Sequence, residues 1–445
     1  MVVPPDRGLR SANPSGTGAM NAARESKARS ERCEGHALGG PELTRRRLLA
    51  GTLVGAGAVA AAQFLQLAGA PRVHAAFAQA GSPHVLIVVF LRGGADGLSI
   101  LPPLTEPVYH DQRPTIAIPE NLALPVDAVF GLHPVAARLA GHAAAGRVCF
   151  VPACGSPHPS RSHFDAQAIM EAGTQSLSAS DGWLARHLLT TPPDSNVEAV
   201  AVSDQIPVSM MGHPQALAAP DVEDFGIVWA GTPPEQTAAL LRGCYSEGAD
   251  LLSVAARNAL AAVETMSAIE VGPVPEDYDQ SWLGRDLWQV RTLIDAGVGV
   301  QGVAVDVHGW DTHDAMGGVD GGRMRDQVEM LDVALGAFLD DMAGRTDYTL
   351  VVMTEFGRRV AQNDSDGTDH GHGGVMVIAG EGVSGPVAGS WPGLGVLDRG
   401  DVQVVNDYRL VLAEVLDRRC GNPAPSAVFP DLEISPADYL GVFAP

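Results

Sequence analysis

Residues 84–91 read His-Val-Leu-Ile-Val-Val-Phe-Leu and residues 348–353 read Tyr-Thr-Leu-Val-Val-Met, and each run stops abruptly at a polar loop loosened by glycine. Neither run alternates apolar with polar, so each predicts a strand buried on both faces, the signature of a parallel sheet covered by helices. Similar runs at 148–152, 197–202, 300–307 and 375–378 extend the set, with helical patterns at 166–172, 322–342 and 408–418. The recurring order strand, loop, helix, strand predicts an α/β fold: a mostly parallel sheet sandwiched by helices. Residues 205–300 have a different texture, with helical patterns at 234–242, 251–269 and 282–296. They predict a helical insertion within a single domain covering 81–445.

In a parallel sheet the loops at the carboxyl ends of the strands converge on one site. Four such loops hold the chemistry-bearing residues of this chain: Asp96; Ser160, Arg161, Ser162 and His163; His308, Asp311 and His313; and Glu355 followed by Asp369, His370 and His372. Carboxylates and imidazoles together are ligands for a divalent cation such as zinc or manganese, and a catalytic site uses about three of them plus an open position. Asp311/His313 and His370/His372 are each spaced by two, which in an extended loop puts both side chains on one side. Each residue also has a plain structural reading. A single histidine can serve as a hydrogen-bonded loop residue, Asp96 as a turn or helix cap, and Glu355 as a helix-start carboxylate or the partner of Arg358.

Ser160-Arg161-Ser162-His163 follows a Pro/Gly-rich loop and opens a helix, so a serine there meets free backbone amides. Those amides form an anion pocket, or they are simply capped by the serine. Of the two serines, Ser162 is the better nucleophile candidate, because it is nearer the helix and beside His163, whereas Ser160 follows Pro159 and finishes the turn. Arg161 can pair with an anionic oxygen of a substrate. No G-x-G-x-x-G, G-x-S-x-G or H-E-x-x-H pattern is present, which removes support for nucleotide enzymes, standard serine hydrolases and zincins.

The first 80 residues hold 10 of the 29 Lys+Arg and 5 of the 52 Asp+Glu, leaving 19 against 47, a net charge of −28, in a remainder without lysine. Such a body excludes nucleic acid and anionic membrane surfaces as partners, since both require a basic footprint. Thr44-Arg45-Arg46-Arg47-Leu48-Leu49, followed by an Ala/Gly-rich apolar run, matches a twin-arginine leader. It predicts passage through the twin-arginine export machinery, cleavage between about Ala75 and Ala80, a periplasmic or extracellular location and no stable membrane span afterwards. Met20 is an alternative start. Cys149, Cys154, Cys244 and Cys420 remain after cleavage, and their pairing is open.

The segments 89–98, 160–167, 309–313, 354–358 and 369–373, behind such a leader, resemble the exported bacterial family called domain of unknown function 1501. The order of these motifs also resembles the alkaline phosphatase and sulfatase superfamily. That resemblance implies an alkaline-phosphatase-like core in which Asp96 is the first metal ligand, Ser162 or Ser160 the nucleophile, Asp311 with His313 a later ligand pair, and His370 or His372 the last histidine. Glu355 and Asp369 complete the candidate metal set. Many superfamily members carry Asp-His where this chain has Glu355-Phe356, so one ligand of a two-metal centre is missing here or supplied elsewhere. The expectation is an exported hydrolase of small phosphate or sulfate esters, dependent on zinc, manganese, calcium or magnesium. The alternative is an inactive member of the fold with a binding or assembly role at the cell surface.

Overall fold

The computed structural model describes residues 84–190, 195–227 and 232–444. The expected leader, with Arg45, Arg46 and Arg47, its expected cleavage region and Met20 lie outside the described residues. Strands β1 (Val85–Leu91), β4 (Val148–Gly155), β5 (Ala199–Val202), β6 (Ala216–Ala218), β7 (Gly302–Val307), β8 (Tyr348–Thr354), β9 (Gly374–Ala379) and β10 (Asn406–Asp407) form one sheet in the order β10-β4-β9-β8-β1-β7-β5-β6, and a small hairpin pairs β2 (Leu124–Pro125) with β3 (Gly131–Leu132). Strand β1 lies in the middle, parallel to β7 on one side and β8 on the other. All seven of its residues are buried, as its unbroken apolar run requires.

The two faces of β1 look into different cores. Val85, Ile87, Val89 and Leu91 pack with residues of the helices Ala137–Ala144, Trp282–Ala296 and Arg323–Asp341. Leu86, Val88 and Phe90 pack on the opposite face with residues of Trp183–Leu188 and Tyr408–Arg418. Burying each of these side chains contributes roughly 1.5–3 kcal/mol. The layers are therefore helix, sheet, helix, and the fold is α/β with a mostly parallel sheet.

Two features differ from the sequence expectation. Residues 205–300 are not a purely helical insertion: β6 adds a parallel edge strand to the main sheet, and the helix Trp282–Ala296 places Leu283, Leu287, Val290 and Leu293 in the principal core. Strand β9 runs antiparallel to both of its neighbours, β8 and β4. The second feature decides the site. Since β9 is reversed, its beginning, and not its end, lies at the edge where the other strands finish, so the loop carrying Asp369, His370 and His372 meets the loops that follow β1, β4, β7 and β8. Cys149 and Cys154 are buried on β4, where burial pushes both thiols well above their ordinary range. No helix among the described residues is long and apolar enough to cross a membrane.

Candidate metal centre

The register sets the height of the site. Leu91 stands opposite both Val307 and Thr354, so Arg92, His308 and Glu355 leave the sheet at the same level. Three donor atoms from three loops converge above them: His163, Asp311 and His370 each offer one, and these atoms lie within 4.8 Å of one another. The Oδ1 of Asp311 is 3.6 Å from Nε2 of His163 and 3.5 Å from Nε2 of His370. Ligands held about 2.0–2.1 Å from a tetrahedral ion are separated by roughly 3.4 Å, so these spacings suit one shared cation. His313 stands beside these three, its Nε2 lying 3.1 Å from the same Asp311 oxygen and in hydrogen-bond contact with His370 Nε2 at 2.9 Å.

Each imidazole is aimed by what its other nitrogen does. Nδ1 of His163 is 2.8 Å from Oε1 of Glu355, and Nδ1 of His370 is 2.8 Å from the carbonyl of Arg161. A proton on each Nδ1 leaves both Nε2 lone pairs facing the common point, the arrangement in which an outer acceptor fixes the tautomer of a metal-binding histidine. Nε2 of His163 is buried and has no hydrogen-bond partner, the kind of orphan that a bound ion would satisfy. The donor set and this orphaned nitrogen both fit a divalent cation.

Glu355 is the buried centre of the outer ring. Its Oε1 accepts from His163, from Gln167 Nε2 at 3.0 Å and from the amide of Gly93 at 2.9 Å. Burial works against its ionisation, but the bonds from His163 and Gln167 prevail and hold it below the usual carboxylate range. The same bond to Glu355 raises His163, whereas burial and then the neighbouring cationic groups lower His370. Phe356 forms a floor, its ring 5.0 Å from that of His163 and 4.8 Å from that of His370. Gly94, with φ +68°, passes so close that a Cβ there would meet the Phe356 ring at 2.4 Å, so this crossing needs glycine.

Arg358 ties the loops together from a fully buried position. Its guanidinium donates to the carbonyls of Gly94 and Thr368 at 2.6 and 2.9 Å, to the carbonyls of Gly93 and Trp310, and to Asp311 Oδ1 at 2.6 Å. Burial opposes the charge on Asp311, and Arg358 overcomes that effect to keep it ionised. The sequence offers Arg358 as a partner for Glu355, but the structure pairs it with Asp311 and leaves Glu355 to His163, Gln167 and Gly93.

Other sequence candidates stand elsewhere. Asp96 is not among the converging donors: it is fully buried, bound through both oxygens to Arg113 at 2.5 and 2.9 Å and bonded by Ser99. An aspartate already neutralised by a buried arginine is spent, which corrects its assignment as the first metal ligand. Nor is His372 in the group, because it faces Asp398 at 3.3 Å and the carbonyl of Ser156 at 2.9 Å. Glu355 acts from the outer ring through His163, and Asp369 lies 3.7 Å from Nδ1 of His313 and accepts from Asn363. His163, first read as a neighbour of the nucleophile, joins the donors. Its place at the start of a helix hid that role, since helix entry by itself does not say where the ring points.

Around the serines, the helix His163–Ala172 begins with Ser162 at its N-cap, exposed and making no side-chain capping bond. The hydroxyl of Ser160 accepts from the Ser162 amide. Arg161 pairs its side chain with Asp401.

No curated protein matches this chain. Residues 252–409, the segment that carries Asp311, His313, Glu355, Arg358 and His370, match the family model described as protein of unknown function (DUF1501), which supports a place for this chain in a family of unknown function.

Proposed function

We propose that this protein is an exported, metal-dependent hydrolase of phosphate or sulfate esters, as the resemblance to the alkaline phosphatase and sulfatase superfamily suggests. The observation that carries the reading is the convergence of His163, Asp311 and His370 at one sheet edge, with each imidazole oriented from behind. Two imidazoles and one carboxylate favour zinc over manganese, calcium and magnesium, which prefer oxygen ligands. When bound, such a cation supplies Lewis acidity, drawing charge from an ester oxygen and easing loss of a hydroxyl proton. Glu355 keeps His163 oriented, and Arg358 offsets the charge of Asp311. Ser162 is the attacking group: its hydroxyl is not used in capping, and free amides at the opening of a helix attract an anionic ester. Ser160 is the weaker choice, because its hydroxyl already serves the turn. The twin-arginine motif supports the exported location.

A second reading has its own support. His313 stands close enough that, drawn in as a fourth ligand, it would give the centre the closed character of a structural metal site, which would favour a binding or assembly protein.

Purified protein separates the two. The hydrolase reading expects about one equivalent of divalent cation, lost in His163→Ala, and turnover of an aryl phosphate or aryl sulfate that Ser162→Ala abolishes while retaining the metal. Metal without turnover across such a panel favours the structural reading, and protein that takes up no cation refutes both.

A further inference from the structure

We infer that Asp401 is a positioning residue for the metal centre, acting through the backbone of Arg161 on His370; the inference rests on the proposed metal site. Asp401 lies in the turn before β10 and has no counterpart among the sequence candidates. Its side chain is completely buried, and one carboxylate oxygen is bonded by the Arg161 guanidinium. The other oxygen has no hydrogen-bond partner, and Nε of Arg359 stands 4.0 Å away. A buried, incompletely satisfied carboxylate costs stability, so its presence calls for a compensating role.

The backbone supplies that role. Asp401 is held on two sides. Its neighbour Gly400 accepts from the Val360 amide at 3.1 Å, Arg359 and Asp401 form an antiparallel bridge, and Val402 accepts from the Gly373 amide at 2.9 Å. Arg358, next along the chain, bridges to His370 in turn. The turn bearing Asp401 is thus braced against the backbone on both sides of the His370 loop. Arg161, by contrast, belongs to the stretch 156–162, which has no regular structure, and its side chain is a quarter exposed. The ion pair joins the irregular segment to the braced one. Fixing the Arg161 side chain fixes its carbonyl, the acceptor for Nδ1 of His370. That carbonyl selects the tautomer with a free Nε2 and sets the plane of the ring. Asp401 therefore governs, at two removes, whether His370 presents a lone pair to the Asp311 oxygen 3.5 Å away. Outer contacts of this kind alter metal affinity by about 10–100-fold.

The test titrates Co²⁺ into the full chain and follows affinity by chelator competition and coordination by the visible ligand-field spectrum. Asp401→Asn and Arg161→Gln, which break the ion pair from opposite sides, should each weaken Co²⁺ binding about 10–100-fold and alter the spectrum. Arg161→Gln keeps the test decisive if the buried substitution fails to fold, since Arg161 reaches the surface. In a His370→Ala background neither change should weaken binding further, because the route through His370 is already cut. Wild-type affinity and spectrum in both variants overturn the inference alone, and so does a full additional loss in the His370→Ala background. Absence of Co²⁺ binding by the wild-type chain removes the metal-site reading and this inference with it.

Discussion

Replacing Arg358 by methionine keeps much of the side-chain volume and removes the donors that clasp three loops. Four carbonyls (Gly93, Gly94, Thr368 and Trp310) and the Asp311 carboxylate lose a charged donor in a region from which the side chain is wholly excluded from water. A buried acceptor left unsatisfied costs about 1–3 kcal/mol, so the upper bound is large, but water entry and loop relaxation recover part of it. Asp311 is about half exposed, so water takes over its share, and at about 1 kcal/mol for each of the four carbonyls we take roughly 4 kcal/mol as the expected loss. For a folded body of about 350 residues, an unfolding entropy near 2.1 cal/mol/K per residue converts that into a fall in Tm of about 5 °C. Arg358→Lys should fall between wild type and Arg358→Met, since an ammonium offers three donors and cannot reach acceptors spread around a planar fork. Differential scanning calorimetry on metal-free protein measures both. A Tm within 1 °C of wild type for Arg358→Met would refute the claim that this residue holds the loops together.

Two further outcomes are expected. His372→Ala should leave cation stoichiometry and affinity as in wild type, while His370→Ala keeps measurable but weakened binding; equal weakening by both in a chelator-competition assay would return His372 to the ligand set. Asp286, on the helix Trp282–Ala296, is pushed up to about 7 by burial. A carboxyl whose folded pKa lies above its unfolded value favours folding fully below pH 3.8 and loses that contribution as pH rises through about 7. Asp286→Asn should therefore be more stable than wild type at pH 8, by on the order of 1 kcal/mol or about 1–2 °C in Tm for a part-exposed group, with the gap narrowing below pH 7 and closing near pH 3.8. A constant gap across that range would show that burial of the charge is not the cause.

Much of the architecture was legible before folding because it depends on local pattern. A strand buried on both faces must be apolar throughout, so β1 and β8 announce themselves, and the residues beyond their ends, from Arg92 and from Glu355, are placed at one edge of the sheet by the direction of the strands alone. Asp311 was within reach for the same reason, belonging to the loop that follows β7. Strand direction was not legible: Val-Met-Val-Ile at 375–378 reads the same in either sense, and only pairing with β8 and β4 reversed β9 and brought the loop before it to the centre. The division of labour among the donors was also tertiary. Asp96 and Glu355 looked alike as carboxylates ending buried strands, yet Arg113 folds in to neutralise the first, while His163 and Gln167 turn the second into an outer support. His163 became a donor and His372 did not because the acceptors that fix their rings, Glu355 for one and the Ser156 carbonyl for the other, come from segments far away in the chain. Sequence determined which chemical groups reach the sheet edge; the partners each group meets there, set by long-range packing, decided which can face a common ion.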